Sequence, residues 1–127
     1  MKILVVDDSI AMRLMVVRCL RQAGFGGHDI VQAEDGAKGY DAIGEERPDV
    51  VLSDWNMPNM TGIELLEKLK EESEEHGDKG LGLTFGFVTT EASAEMRARA
   101  SEAGAKFLIA KPFTPDSFKD ALTDIIA

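Results

Sequence analysis

The chain has 127 residues, 44% hydrophobic and 29% charged, with 14 Lys and Arg against 23 Asp and Glu and a formal charge of -9. That length favours one domain, large enough to bury roughly two thirds of its unfolded surface without a metal or disulfide staple. The acid surplus argues against a nonspecific nucleic-acid binder, no apolar run approaches the ~20 residues that span a bilayer, and the lone Cys19 fits a reducing cytosol.

Apolar runs and helical patterns alternate along the chain. Ile3 to Val6 reads as a buried strand, ended at once by Asp7-Asp8 and too short for a signal peptide. Ile10 to Ala23 has helical spacing through Ile10, Leu14, Val17 and Leu20, with Gly24 as its stop. Ile30 to Ala33 is a weaker strand, and Lys38 to Glu46 a short helix before Pro48. Val50 to Ser53 is again apolar and stopped by Asp54. Ile63 to Glu72 is helical through Leu65, Leu66 and Leu69. Thr84 to Thr89 is the fourth strand, reached through a flexible connection containing Gly77, Gly80 and Gly82. Ala92 to Ala103 is a helix with Met96, Ala100 and Ala103 on one stripe. Phe107 to Ala110 is the fifth strand. Thr114 caps the last helix, Pro115 takes its first position, and Phe118, Leu122, Ile125 and Ile126 form its core face.

Five apolar strands alternating with five helices predict a doubly wound α/β fold, a parallel sheet covered on both faces. In such sheets ligands sit beyond the carboxyl ends of the strands. Asp7-Asp8 follow the first strand and Asp54 the third. Thr89-Thr90 close the fourth, and Lys111-Pro112 follow the fifth. Any one of these acids is unremarkable as a helix cap or turn residue, and Ser9 or Asp8 suits the cap of the first helix. Three acids delivered to one sheet edge by separate segments are harder to explain structurally. Two carboxylates ~4 Å apart repel by about 4 kcal/mol at an effective dielectric of 20. Lys111 supplies one positive charge, so a cation or a raised pKa must absorb the rest. Hard oxygen donors with room for water suit Mg2+.

Together, Asp7-Asp8, Ser53-Asp54-Trp55-Asn56-Met57-Pro58 with Gly62, Val88-Thr89-Thr90-Glu91 and Lys111-Pro112-Phe113 resemble the receiver domain of bacterial response regulators. The resemblance spans essentially residues 1–127 and is strongest to the stand-alone chemotaxis type. It implies a flavodoxin-like (βα)5 sandwich with strand order 2-1-3-4-5. It implies that Asp54 is the phosphoacceptor and that Asp8, Asp54 and the Asn56 carbonyl bind Mg2+, with Asp7 acting through water. Lys111 would pair with a phosphoryl oxygen and Thr89 would hydrogen-bond another. Thr90, Glu91 and Leu108 would take part in switching and in tuning hydrolysis. Lys111–Pro112 would be a cis peptide. The domain would catalyse its own phosphorylation, from a histidine kinase or small phosphodonors, and its own hydrolysis, giving a short-lived phosphoryl form. Kinase choice would lie in surface residues near the first helix. The output surface would be the fourth helix, fifth strand and fifth helix. The implied setting is a cytoplasmic monomer with a downstream target protein, such as a flagellar motor switch, and a phosphatase as a further partner.

One position departs from the family pattern. The switch aromatic three residues before the lysine is replaced by Leu108, and strand alternation turns Phe107 to the opposite face. The last helix is also less basic than in the chemotaxis type, with Asp116, Asp120 and Asp124 beside Lys119. Cys19 reads as a core residue and the Glu71 to Glu75 run as a solvated helix end. His28 and His76 are isolated, with no second ligand at metal spacing. Trp55 is expected to be exposed and to report on the site by fluorescence.

Three alternatives stand beside this reading. An Asp-nucleophile, Mg2+-dependent phosphatase wants a second carboxylate where Asn56 stands, and usually a longer chain. A flavodoxin-like cofactor carrier wants a phosphate loop after the first strand. The third is a receiver excised from a larger regulator. The charge divides unevenly: residues 1–91 hold a net of -9 and residues 92–127 a net of zero. The acid surplus thus lies wholly with the part containing Asp7, Asp8 and Asp54.

Overall fold

Five parallel strands lie in the order β2-β1-β3-β4-β5 in the computed structural model, which describes residues 1–75, 82–90 and 92–125. The strands are β1 (Lys2–Val6), β2 (Asp29–Ala33), β3 (Val50–Ser53), β4 (Thr84–Thr89) and β5 (Phe107–Ala110). The helices are α1 (Ile10–Leu20), α2 (Gly36–Glu46), α3 (Gly62–Glu75), α4 (Ala94–Ala103) and α5 (Pro115–Leu122). This is the doubly wound α/β sheet that the alternation of elements predicts, in the flavodoxin-like order that the resemblance implies.

The apolar runs are apolar because both of their faces are covered. Ile3, Val5, Val50, Leu52, Val88 and Ile109 pack with Val16, Val17, Leu20, Phe118 and Leu122, which places α1 and α5 on one face. Leu4, Val6, Val51, Phe85 and Phe87 pack with Leu65, Leu66, Ala100 and Ala103 of α3 and α4 on the other. Burying a side chain of this size is worth about 1.5–3 kcal/mol relative to exposure.

Helix ends follow their chemistry. Ser9 Oγ accepts from the Met12 N–H at 3.2 Å and caps α1. Asp35 caps α2, and Ser93 caps α4. Glu64 reaches back to the Thr61 N–H at 3.0 Å in the first turn of α3. Thr114 and Ser117 form a capping box on α5, with Pro115 at its start as the sequence predicts. Beyond Leu20, α1 passes into a wide π turn, Arg21–Phe25, broken where Gly24 takes φ 100°.

Helix α1 departs from its predicted core stripe. Val17 and Leu20 are buried, but Ile10 is 65% and Leu14 55% exposed, and Met15 is exposed beside them. Val16 takes the inward place instead. The sequence from Ile10 to Val17 is apolar on several faces, so its spacing does not single out the buried one. Cys19 is half-buried against the α1/α5 core, and that burial raises its thiol pKa. The predicted roles of His76, Gly77, Gly80 and Ile126 fall outside the described residues.

Candidate functional site

The parallel register brings the strand ends together. The Asp54 N–H donates to Val6 O at 2.9 Å, carrying the β1–β3 ladder one step past β3. The Lys111 N–H donates to Thr89 O at 2.9 Å and does the same for β4 and β5. The Lys111–Pro112 peptide is cis. Acids from β1 and β3 and the amine from β5 therefore share one edge of the sheet.

Asp7 is buried and fully engaged. Its Oδ1 accepts from the Ser9 N–H at 2.9 Å, and its Oδ2 accepts from Lys111 Nζ at 3.1 Å. Its carbonyl accepts from Arg13 Nη1 at 2.7 Å, while Arg13 Nε donates to Gln32 Oε1 at 3.1 Å. The β1–α1 turn is thus pinned from both sides. Asp8, next in the chain, is exposed.

Asp54 lies partly buried between these groups. Its Oδ1 accepts from the Trp55 N–H at 2.8 Å, and its Oδ2 stands 3.5 Å from Lys111 Nζ. Burial pushes its carboxyl above the usual range. The Lys111 charge opposes that rise, the Asp7 charge adds to it, and the Trp55 N–H and the Lys111 hydrogen bond oppose it. Asp7, Asp8 and Asp54 offer oxygens within 4.8 Å of one another. Three carboxylates facing one ammonium leave room for a further cation, and an all-oxygen set with one exposed member fits Mg2+. The three predicted carboxylates are therefore brought together, and Asn56 is exposed on the loop after Asp54.

The remaining predicted residues take distinct places. Thr89 is fully buried at the end of β4, and Thr90 is exposed. Leu108 is half-buried against the α3/α4 face, whereas Phe107 packs towards α1 and α5, as alternation predicts. Glu91 lies outside the described residues. Trp55 corrects its expectation. It is buried at 5% exposure, its ring 4.8 Å from Phe87, because the loop after Asp54 folds back over the sheet.

Sequence reasoning missed three residues near the site: Arg13, Asp35 and Asn59. Asp35-Gly36 carried a helix-cap signal. Arg13 read only as one of the charges between apolar positions. Asn59 carried no signal, since its relevance comes from a left-handed backbone (φ 68°) and a partner in another connection.

Comparison with known proteins agrees with this architecture. Residues 3–123 match the family model described as "Response regulator receiver domain". The chain is 37% identical over 127 residues to a chemotaxis protein CheY homolog of Campylobacter jejuni, covering 99% of this chain and 92% of the relative. It is 37% identical over 126 residues to chemotaxis protein CheY-3 of Vibrio cholerae, covering 98% and 91%. The crystal structure of Vibrio cholerae CheY4 superposes with a TM-score of 0.80 at 33% identity, covering 98% of each chain.

Proposed function

The chain belongs to the response regulator receiver domain family, and from that premise we propose that Asp54 accepts a phosphoryl group from a histidine kinase. The observation that carries this is the placement of the Asp54 carboxylate beside Lys111 and the Asp7–Asp8 pair. An Asp54 oxygen attacks phosphorus as the bond to the kinase histidine, or to the leaving group of a small donor, breaks. Phosphoryl transfer is mostly positioning and neutralisation of the phosphoryl oxygens. Asp8, Asp54 and the Asn56 carbonyl would hold Mg2+, with Asp7 acting through water, and the ion would supply further neutralisation. Lys111 pairs with one phosphoryl oxygen. Thr89, buried at the strand end, hydrogen-bonds another after moving towards the edge. Asn56 and Glu91 tune the approach of the hydrolytic water, which makes the phosphoryl form short-lived.

The output is protein binding, in chemotaxis or motility signalling, in the cytoplasm. Among the described residues, no helix is long and apolar enough to cross a membrane. Exposed Ile10, Leu14 and Met15 lie on α1, the helix that follows Asp7-Asp8, and suit the kinase, which must bring its phosphohistidine to Asp54. The target, such as a flagellar motor switch, docks on α4, β5 and α5, where a cavity of about 150 Å³ opens beside Leu108 and Arg97. Thr90 and Leu108 transmit the change at Thr89 to that surface.

Incubation with a small phosphodonor and Mg2+ tests this directly. Intact-mass analysis should show one labile phosphoryl adduct, absent in Asp54→Asn. No adduct in the parent chain would overturn the proposal.

A further inference from the structure

The loop from Asp54 to Gly62 carries the acceptor at its start and Asn56 two residues later. Its base is closed locally, since the Gly62 N–H donates to Trp55 O at 2.8 Å. Its far side is held by another element. Asp35, the buried N-cap of α2, uses Oδ1 to accept from the Lys38 N–H at 2.8 Å. Its second oxygen, Oδ2, accepts from Asn59 Nδ2 at 3.0 Å.

Two further observations show that α2 is seated on this loop. Asn59 holds a left-handed backbone, φ 68°, which among non-glycine residues Asn and Asp tolerate best. Gly36 lies so close that a Cβ there would overlap the Met60 carbonyl and stand 2.8 Å from the Met60 Cβ. The helix cap needs one carboxylate oxygen; the second is spent on the loop.

We propose that Asp35 and Asn59 are a positioning pair for the metal, fixing the Asp54–Gly62 loop so that the Asn56 carbonyl and the Asp54 carboxylate meet the ion together. The inference rests on the reading of Asp7, Asp8, Asp54 and Asn56 as the Mg2+ ligands. A backbone ligand has no rotamer to lock, so only anchoring of its loop sets its place. Groups that orient ligands from behind are typically worth 10–100-fold in metal affinity.

Titration calorimetry with Mg2+ on the unphosphorylated chain tests the pair. Asn59→Gly keeps the backbone freedom and deletes the amide. Asp35→Ser keeps a capping oxygen for the Lys38 N–H and removes the second oxygen that meets Asn59. Each should weaken Mg2+ binding by about tenfold. The swapped pair, Asp35→Asn with Asn59→Asp, restores one donor facing one acceptor and should bind within about threefold of the parent, since the orienting contact is rebuilt. Single variants that bind Mg2+ as tightly as the parent would overturn the inference, even if they melt earlier, because the pair would then be a fold contact only. Weakened binding that the swap does not recover would overturn it too. A parent chain with no saturable Mg2+ binding would instead overturn the metal reading beneath it.

Discussion

Phe107 covers Gly86, its partner in the β4–β5 ladder, so closely that a Cβ on Gly86 would overlap the ring. The pair moves bulk from β4 to the neighbouring edge strand β5. Gly86→Ala should therefore push the half-buried ring outward and destabilise the parent by about 1 kcal/mol. With Phe107→Ala already present the same change should reverse sign and stabilise by about 0.5 kcal/mol, since glycine is a poor strand residue. A urea double-mutant cycle reads the coupling. Additive effects would show that the two residues do not share the space.

The ammonium of Lys111, 3.1 Å from Asp7 and 3.5 Å from Asp54, repels any cation brought to the same acids. Lys111→Met should tighten Mg2+ binding by about tenfold, a coulombic effect on the order of 1.4 kcal/mol. Calorimetric titration of both proteins reads it. Equal or weaker binding in the variant would mean that Lys111 does not share the field of the metal site.

Asp35 gives a pH signature. The Lys38 N–H, then the Asn59 amide, hold its carboxyl below the usual range. Its folded pKa is depressed, so its contribution to stability is present above the unfolded pKa of about 3.9 and fades as pH falls through the lower folded value. The melting-temperature gap between the parent and Asp35→Asn should be constant near neutrality and narrow below about pH 4. A gap that widens in acid would contradict the assigned direction.

Leu14 on α1 is 55% exposed, so Leu14→Ser should change stability by less than about 0.5 kcal/mol. Labelling by a small phosphodonor should also be unchanged. Transfer from the phosphorylated kinase should slow several-fold if the apolar ridge of α1 receives it. Equal transfer rates, measured side by side, would place the kinase elsewhere.

What the sequence discloses follows from how locally each feature is determined. The runs Val50–Ser53 and Phe107–Ala110 read correctly because a strand buried on both faces must be apolar throughout. Asp7, Asp8, Asp54 and Lys111 were legible because each directly follows such a run, and parallel topology gathers those positions at one edge. The face of α1 was misread because Leu14 and Met15 are as apolar as Val16, and only the packing partner distinguishes them. Trp55 was misread because its burial depends on how one loop crosses Phe87. Asp35 with Asn59, and Gly86 with Phe107, are contacts between separate connections or strands. No local pattern announces which residue meets which.

The Lys111–Asp7 contact joins residues 104 apart in the chain. On the ribosome, β1 and β3 emerge with their carboxylates long before the edge strand that delivers the ammonium. Until β5 docks, Asp7 and Asp54 lack that counter-charge, and their mutual repulsion works against closing the sheet edge. The acid edge thus gains its counter-charge only once the fifth strand has been made and docked. A nascent chain halted before β5 has the acids but not the ammonium, so the Lys111–Asp7 ion pair doubles as a certificate that synthesis and folding have run to the final strand.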